Sequence, residues 1–222
     1  MSAILRESLS KSVIRLNSNR QAFFDRVWEG TRDAYFNTEE NVWFKDAVKE
    51  RVLYCAHITQ VYVDDELAGY IGYDGYGIPT VGRVAYVEIA TCFPDFQRNG
   101  VVQRLLTALQ DEYDGVMLRT QNPNMFGAMY QAYGSVEPFE GVPSEEAKRC
   151  AAIIGNKTPK IYDFMSMVSK GIYDGKCLTG KVIEGNKFFT EQLYSRINPS
   201  QGDAIILVSL FGKSRTYSGR VF

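Results

Sequence analysis

The residues best suited to hold a charged ligand lie in the run Cys92-Phe93-Pro94-Asp95-Phe96-Gln97-Arg98-Asn99-Gly100-Val101-Val102. Its single glycine stands just ahead of an amphipathic stretch. Val101, Val102, Leu105, Leu106, Leu109 and Tyr113 recur there at helical spacing, and Gln103, Arg104, Gln110, Asp111 and Glu112 fill the other face. A helix starting near Val101 leaves its first backbone N–H groups without intrahelical acceptors, and its dipole adds positive charge at the same point. Gln97 and Arg98 offer side-chain donors. This is anion-binding chemistry, suited to a phosphate-bearing ligand lying across the end of a strand. The structural alternative is a solvent-exposed left-handed turn around Gly100 that holds no ligand.

A second candidate precedes it. Arg83 to Thr91 is rich in β-branched and aromatic residues, as a mostly buried strand would be, and Glu88 is the sole charged residue from Val84 through Phe93. A carboxylate in such a strand is paired, used as a base, or turned to the polar face of the sheet. Other reactive residues read as structural. His57 is the one histidine, so a histidine-centred triad or a multi-histidine metal site would depend on it alone. Cys92 has no neighbouring base to lower its pKa, so it reads as a small buried thiol. Asp64, Asp65 and Glu66 read as a solvated turn.

The run Gln97 to Val102 resembles the pyrophosphate loop of the GCN5-related N-acetyltransferase (GNAT) superfamily, R/Q-x-x-G-x-G/A. Gln97 and Gly100 match it, and Val102 replaces the last small residue. A second block follows in the family's order. Val116 to Asn122 reads as a strand, and Pro123 to Tyr133 as a helix closing Met129-Tyr130-Gln131-Ala132-Tyr133-Gly134-Ser135, against the family's Leu-Tyr-x-x-x-Gly-Phe. The resemblance covers roughly residues 20–135. It implies acetyl-CoA as acyl donor, contacted by Ile89, Ala90, Thr91, Cys92, Gln97, Arg98, Asn99, Gly100, Val101, Val102 and Asn122. It also implies catalytic roles for Glu88, as the base that neutralises an acceptor amine directly or through water, and for Tyr130, as the acid that protonates the departing thiolate. Read without the resemblance, Tyr130 fits a helix face packing on the sheet and Asn122 is a good helix cap.

The elements that must position these groups follow from pattern. Gln21 to Tyr35 is an amphipathic helix, and Thr38-Glu39-Glu40 looks like the capped start of a second running to about Arg51. His57 to Val63 and Leu67 to Tyr73 form a hairpin, followed by a glycine-rich loop from Gly72 to Gly82. Helix, helix, hairpin, strand, helix, strand, helix is also the family's order. The expected fold is α+β: a mixed, mostly antiparallel twisted sheet of GNAT type, with helices on both faces and a C-terminal elaboration. Beyond Gly134, helical patterns at Pro143 to Ile154, Ile161 to Ser169 and Phe188 to Ile197 precede a strand from Asp203 to Phe211, with Ser214 to Phe222 as its hairpin partner. Residues 1–222 therefore read as a single domain, in which 141–201 is an ordered insertion before the closing strands.

Composition narrows the partners. With 45% hydrophobic and 23% charged residues the chain can bury an ordinary globular core, and a formal net charge of −1 argues against nucleic acid as the main partner. No apolar run approaches the ~20 residues needed to cross a bilayer, and no signal-peptide pattern opens the chain. The four scattered cysteines form no C-x-x-C pair, which points to reduced thiols in the cytoplasm and to no metal site. The expected function is transfer of an acetyl group to a small-molecule or peptide amine by direct attack in a ternary complex. A homodimer is compatible with this reading. The alternative is a non-catalytic acyl-CoA-binding or protein-interaction module on the same fold. The acceptor, and a donor chain longer than acetyl, are left open by the residues.

Overall fold

A computed structural model describes residues 13–15, 19–35, 42–139, 141–157 and 161–211. Its frame is one eight-stranded sheet. In chain order the strands are β1 (Val13–Arg15), β2 (His57–Val63), β3 (Glu66–Ile78), β4 (Gly82–Cys92), β5 (Gly115–Thr120), β6 (Tyr162–Asp163), β7 (Val168–Ser169) and β8 (Ala204–Leu210), arranged β1-β2-β3-β4-β5-β8-β7-β6. Among the described residues β4 and β5 are the parallel pair, and every other pairing is antiparallel. The helices are α1 (Arg20–Ala34), α2 (Val42–Tyr54), α3 (Val101–Thr107), α4 (Pro123–Tyr133), α5 (Glu145–Gly155), α6 (Ile172–Gly175) and α7 (Lys187–Tyr194). No helix among the described residues is long and apolar enough to cross a membrane.

Alternation along the strands sorts the core into two faces. Ile71, Val87, Leu118, Ile205 and Leu207 meet α3, α4 and α7, through Leu105, Leu106, Phe126, Met129 and Leu193. On the opposite face, Val84, Tyr86, Met117, Ile206 and Val208 meet α5 through Cys150, Ala151 and Ile154. Ile58, Tyr70 and Ile89 meet α1 and α2 on that same face, through Phe23, Phe24, Val27, Phe44 and Val52. The mixed, mostly antiparallel sheet with helices on both faces is thus the architecture expected.

Several local expectations are corrected. The glycine-rich loop is instead an extension of β3 to Ile78, because β4 pairs with it residue for residue and Gly75 leaves room for the Tyr113 ring, 3.2 Å from where a Cβ would sit. The helical pattern from Ile161 to Ser169 is instead the β6–β7 hairpin. Asp163 Oδ1 accepts from the Met165 N–H at 2.9 Å to form a side-chain-capped turn, and β8 offers Val168 an open edge to pair with. The helix from Val101 is shorter than its apolar stripe and tightens into a 3₁₀ turn at Ala108–Asp111. The helix over 143–154 is found as α5, with Ser144 capping the Ala147 N–H, and that over 188–197 as α7. The expected helix start at Thr38-Glu39-Glu40 and the strand from Ser214 to Phe222 lie outside the described residues.

A cavity between β4 and β5 as the candidate active site

Parallel pairing of β4 with β5 runs from Val84↔Gly115 to Val87↔Leu118 and stops there. β5 continues to Thr120 beside β8, and β4 continues to Cys92 beside β3, so the two strands part at Glu88 and Arg119. The cause is visible in the β3–β4 register, where Gly72 faces Ile89 but Tyr73 faces Val87. Glu88 is the extra residue of a β-bulge. A bulge of this kind bends its strand and re-aims a side chain. It also puts Tyr86 and Ile89 on one face of the sheet despite their odd spacing.

The gap opens a cavity of about 710 Å³, within the usual range for small-ligand sites. One wall is the β4 segment from Tyr86 to Cys92, and the other is β5 from Leu118 through Asn122. α2 closes one face with Phe44, Val48 and Arg51, and α4 closes the other with Asn124, Ala128 and Gln131. Cys177 to Thr179 and Ile183 to Asn186 form the lip. Gln121 fixes that lip: its Nε2 donates to the Asp203 carbonyl at 2.9 Å and its Oε1 accepts from the Leu178 N–H at 2.8 Å.

At the far end of β4 the chain turns through a 3₁₀ segment, Pro94–Phe96, and reaches α3 by way of two left-handed residues, Arg98 (φ +66°) and Gly100 (φ +73°). Gln97 Nε2 donates to the Cys92 carbonyl at 3.5 Å across the loop. Within α3 the Arg104 N–H bonds the Gly100 carbonyl at 2.9 Å, so the N–H groups of Val101, Val102 and Gln103 precede the helical ladder. Gln97, Arg98, Gly100, Val101 and Val102 line the cavity, as do Ile89, Ala90, Thr91, Cys92 and Asn122; Asn99 does not. From Glu88 to Cys92 the β4 wall spans about 13 Å at normal strand rise.

Glu88 is half-buried, and burial raises its carboxyl above the ordinary range, opposed by the guanidiniums of Arg51 and Arg119 and reinforced by Asp74. Arg119 is hydrogen-bonded to Tyr173, which α6 brings into the cavity in a left-handed conformation, φ +58°. The Tyr35 hydroxyl donates to the Ala90 carbonyl at 2.9 Å, and burial pushes this phenol up to about 12. The Cys92 thiol is pushed up to about 12 by burial, which leaves it a poor nucleophile. Among the described residues no group of His, Cys, Asp and Glu is arranged to hold a metal.

Tyr130 is placed differently from expectation. It is 41% exposed, does not line the cavity, and packs its ring 5.9 Å from that of Phe189. Helix geometry is the reason: Asn124, Ala128 and Gln131 form the stripe that faces the gap, and Tyr130 sits about 100° round the axis from Gln131. Asn122 caps α4 by accepting from the Asn124 N–H at 2.9 Å, and still borders the cavity. Reasoning from sequence missed Arg119, Arg51, Tyr173 and Tyr35. Arg119 carried a usable signal, as the lone charge in an apolar strand; the others reach the site only through the packing of distant segments.

No protein-family model and no curated protein matches the chain. Solved structures similar to it include Arabidopsis thaliana Naa50 in complex with the bisubstrate analogue CoA-Ac-MVNAL, at 12% identity and a TM-score of 0.46 over 90% of this chain and 99% of that one. Another is aminoglycoside 6'-acetyltransferase type Ii, at 17% identity and a TM-score of 0.41 over 56% and 86%. A third is a ribosomal-protein-alanine N-acetyltransferase from Brucella melitensis biovar Abortus 2308, at 18% identity and a TM-score of 0.33 over 45% and 69%. The last two are acetyltransferases by name, and the first is bound to a CoA-containing bisubstrate analogue. The likeness is distant, and it is the cavity's own residues that define what the site can do.

Proposed function

We propose that the chain is an acyl-CoA-dependent N-acyltransferase, with acetyl-CoA as donor and a primary amine as acceptor. One observation carries the reading: β4 parts from β5 at Glu88 and Arg119, opening a cavity that runs from the Gly100 turn to a half-buried carboxylate. Gln97, Arg98 and the leading N–H groups of α3 would receive the phosphates. The edge of β4 from Ile89 to Cys92, with Asn122 opposite, would line the pantetheine arm. Bound there, an acyl-CoA supplies an acyl group on sulfur, whose transfer forms an N–C bond as the C–S bond breaks and the thiol departs.

Glu88 does the proton work. An acceptor amine arrives as an ammonium, because an unperturbed alkyl amine titrates near ~10.4. A carboxylate whose pKa is raised by burial is the better proton acceptor. Glu88 takes the proton that nitrogen must lose, and the surrounding apolar wall of Phe44, Val48 and Ile89 excludes water that would hydrolyse the donor. Tyr130 is not given the proton-donor role, since it is not among the residues that line the cavity. Residues 1–222 act as one domain in this reading, with 141–201 shaping the acceptor side.

Isothermal titration with acetyl-CoA and free CoA tests the proposal, followed by thiol release with a panel of amines. Micromolar binding and amine-dependent release are expected. No binding of either ligand overturns it. A binding module without turnover is the second reading, favoured by the position of Tyr130, and it predicts binding without release.

A further inference from the structure

Resting on the acyltransferase reading, we infer that Tyr35 is a positioning residue for the donor. By holding the Ala90 carbonyl, it sets the open edge of β4 to meet the carbonyl oxygens of the pantetheine arm. The stretch concerned lies past the bulge, from Ile89 to Cys92, where β4 pairs with β3 without a further shift in register. Backbone groups in such a pair alternate between the two sides of the strand. The Phe93 N–H donates to the Ala68 carbonyl ahead of β3 at 3.0 Å, and the Thr91 carbonyl lies on that side too, 2.5 Å from where a Cβ on Gly69 would sit. Ala90 and Cys92 therefore turn their N–H and C=O groups the other way, to the side that β5 has left.

Two side chains agree with this orientation and decide what the edge can offer. The Tyr35 hydroxyl donates to the Ala90 carbonyl at 2.9 Å, and Gln97 Nε2 donates to the Cys92 carbonyl at 3.5 Å. All four residues line the cavity. Both carbonyls on the open edge thus already hold a protein donor, and the N–H groups are what the edge presents to a ligand. Such an edge suits a ligand that brings acceptors, as the amide carbonyls of a pantetheine arm do. Tyr35 is the shorter of the two ties and is itself well anchored. It closes α1, where its N–H bonds the Thr31 carbonyl at 3.2 Å, and its ring lies 5.3 Å from that of Phe44 on α2. Burial pushes the phenol up to about 12, so it remains an O–H donor at neutral pH. Without that hydroxyl, a bound arm would cover the Ala90 carbonyl with no donor on it, and a buried acceptor left unmet costs affinity.

The test compares Tyr35→Phe, which keeps the ring, with wild type in affinity for two ligands. One is CoA, and the other is adenosine 3′-phosphate 5′-diphosphate, which is CoA without its pantetheine arm. CoA should weaken about five- to a hundredfold, the scale of a buried acceptor left unmet, while the arm-less ligand stays within about twofold. A loss of folded protein weakens both ligands alike, so the ratio of the two affinities isolates the arm from a merely structural effect. An unchanged ratio, or CoA bound more tightly by Tyr35→Phe, overturns the inference. If wild type binds CoA and releases thiol in that case, the acyltransferase reading stands without it; absence of CoA binding by wild type ends both.

Discussion

Gly100→Ala places the whole cofactor-loop reading under a quantitative test. Gly100 sits at φ +73°, and a Cβ built on it would meet only Gln103 Oε1, at 3.6 Å. Space is therefore not the obstacle, and the cost is backbone strain: a non-glycine residue in the left-handed region costs roughly 1–2 kcal/mol. That cost can appear in two places. If the loop keeps its shape, the strain lowers stability, by about 2–4 °C of Tm per kcal/mol for a chain of this length. If the loop relaxes in the free protein, stability is spared, and binding must restore the strained turn, weakening acetyl-CoA roughly five- to thirtyfold. Thermal melting and isothermal titration on the same variant measure both shares, which should add to the same total. Gly100→Asn should show a smaller total, because asparagine tolerates this region better. An alanine variant with unchanged Tm and unchanged affinity would refute the reasoning.

Glu88→Gln should slow amine acetylation by about 10²- to 10⁴-fold, and the wild-type rate should fall as pH drops through the raised pKa of Glu88. The sign for stability is opposite to that of a paired carboxylate. The folded carboxyl titrates above the unfolded one, so wild type loses stability as pH rises through that interval. Glu88→Gln should gain on wild type in Tm from acid toward neutral pH, and a loss over that range contradicts the assignment. Tyr130→Phe should leave kcat within about threefold, well short of the loss that follows removal of a general acid; a hundredfold loss would return the proton-donor role to Tyr130. Gln121→Leu removes the bonds to Asp203 and Leu178 and should cost roughly 2–4 kcal/mol in a denaturant titration, whereas a change below about 1 kcal/mol would show that these ties do not hold the lip.

Sequence by itself determined the elements whose signals are local. β2 matches its expected bounds at His57–Val63 and α4 at Pro123–Tyr133, because alternation in one case, and a capping Asn122 with Pro123 and a terminal Gly134 in the other, act within a few residues. Gly100 was legible as a left-handed turn before a helix for the same reason. What the tertiary structure decided was contact between segments far apart in the chain. The bulge at Glu88 exists only as a mismatch between β3 and β4, and neither strand alone shows where β4 will leave β5. Helical periodicity brought Tyr130 near the right element, while the angle of α4 against the gap turned Gln131 inward and Tyr130 out. The hairpin of β6 and β7 depends on the free edge of β8, and Arg51 and Tyr173 reach the site from helices separated by more than a hundred residues. Local propensity selects the pieces; charge pairing, register and edge closure are properties of the assembled sheet, which no short window of sequence contains.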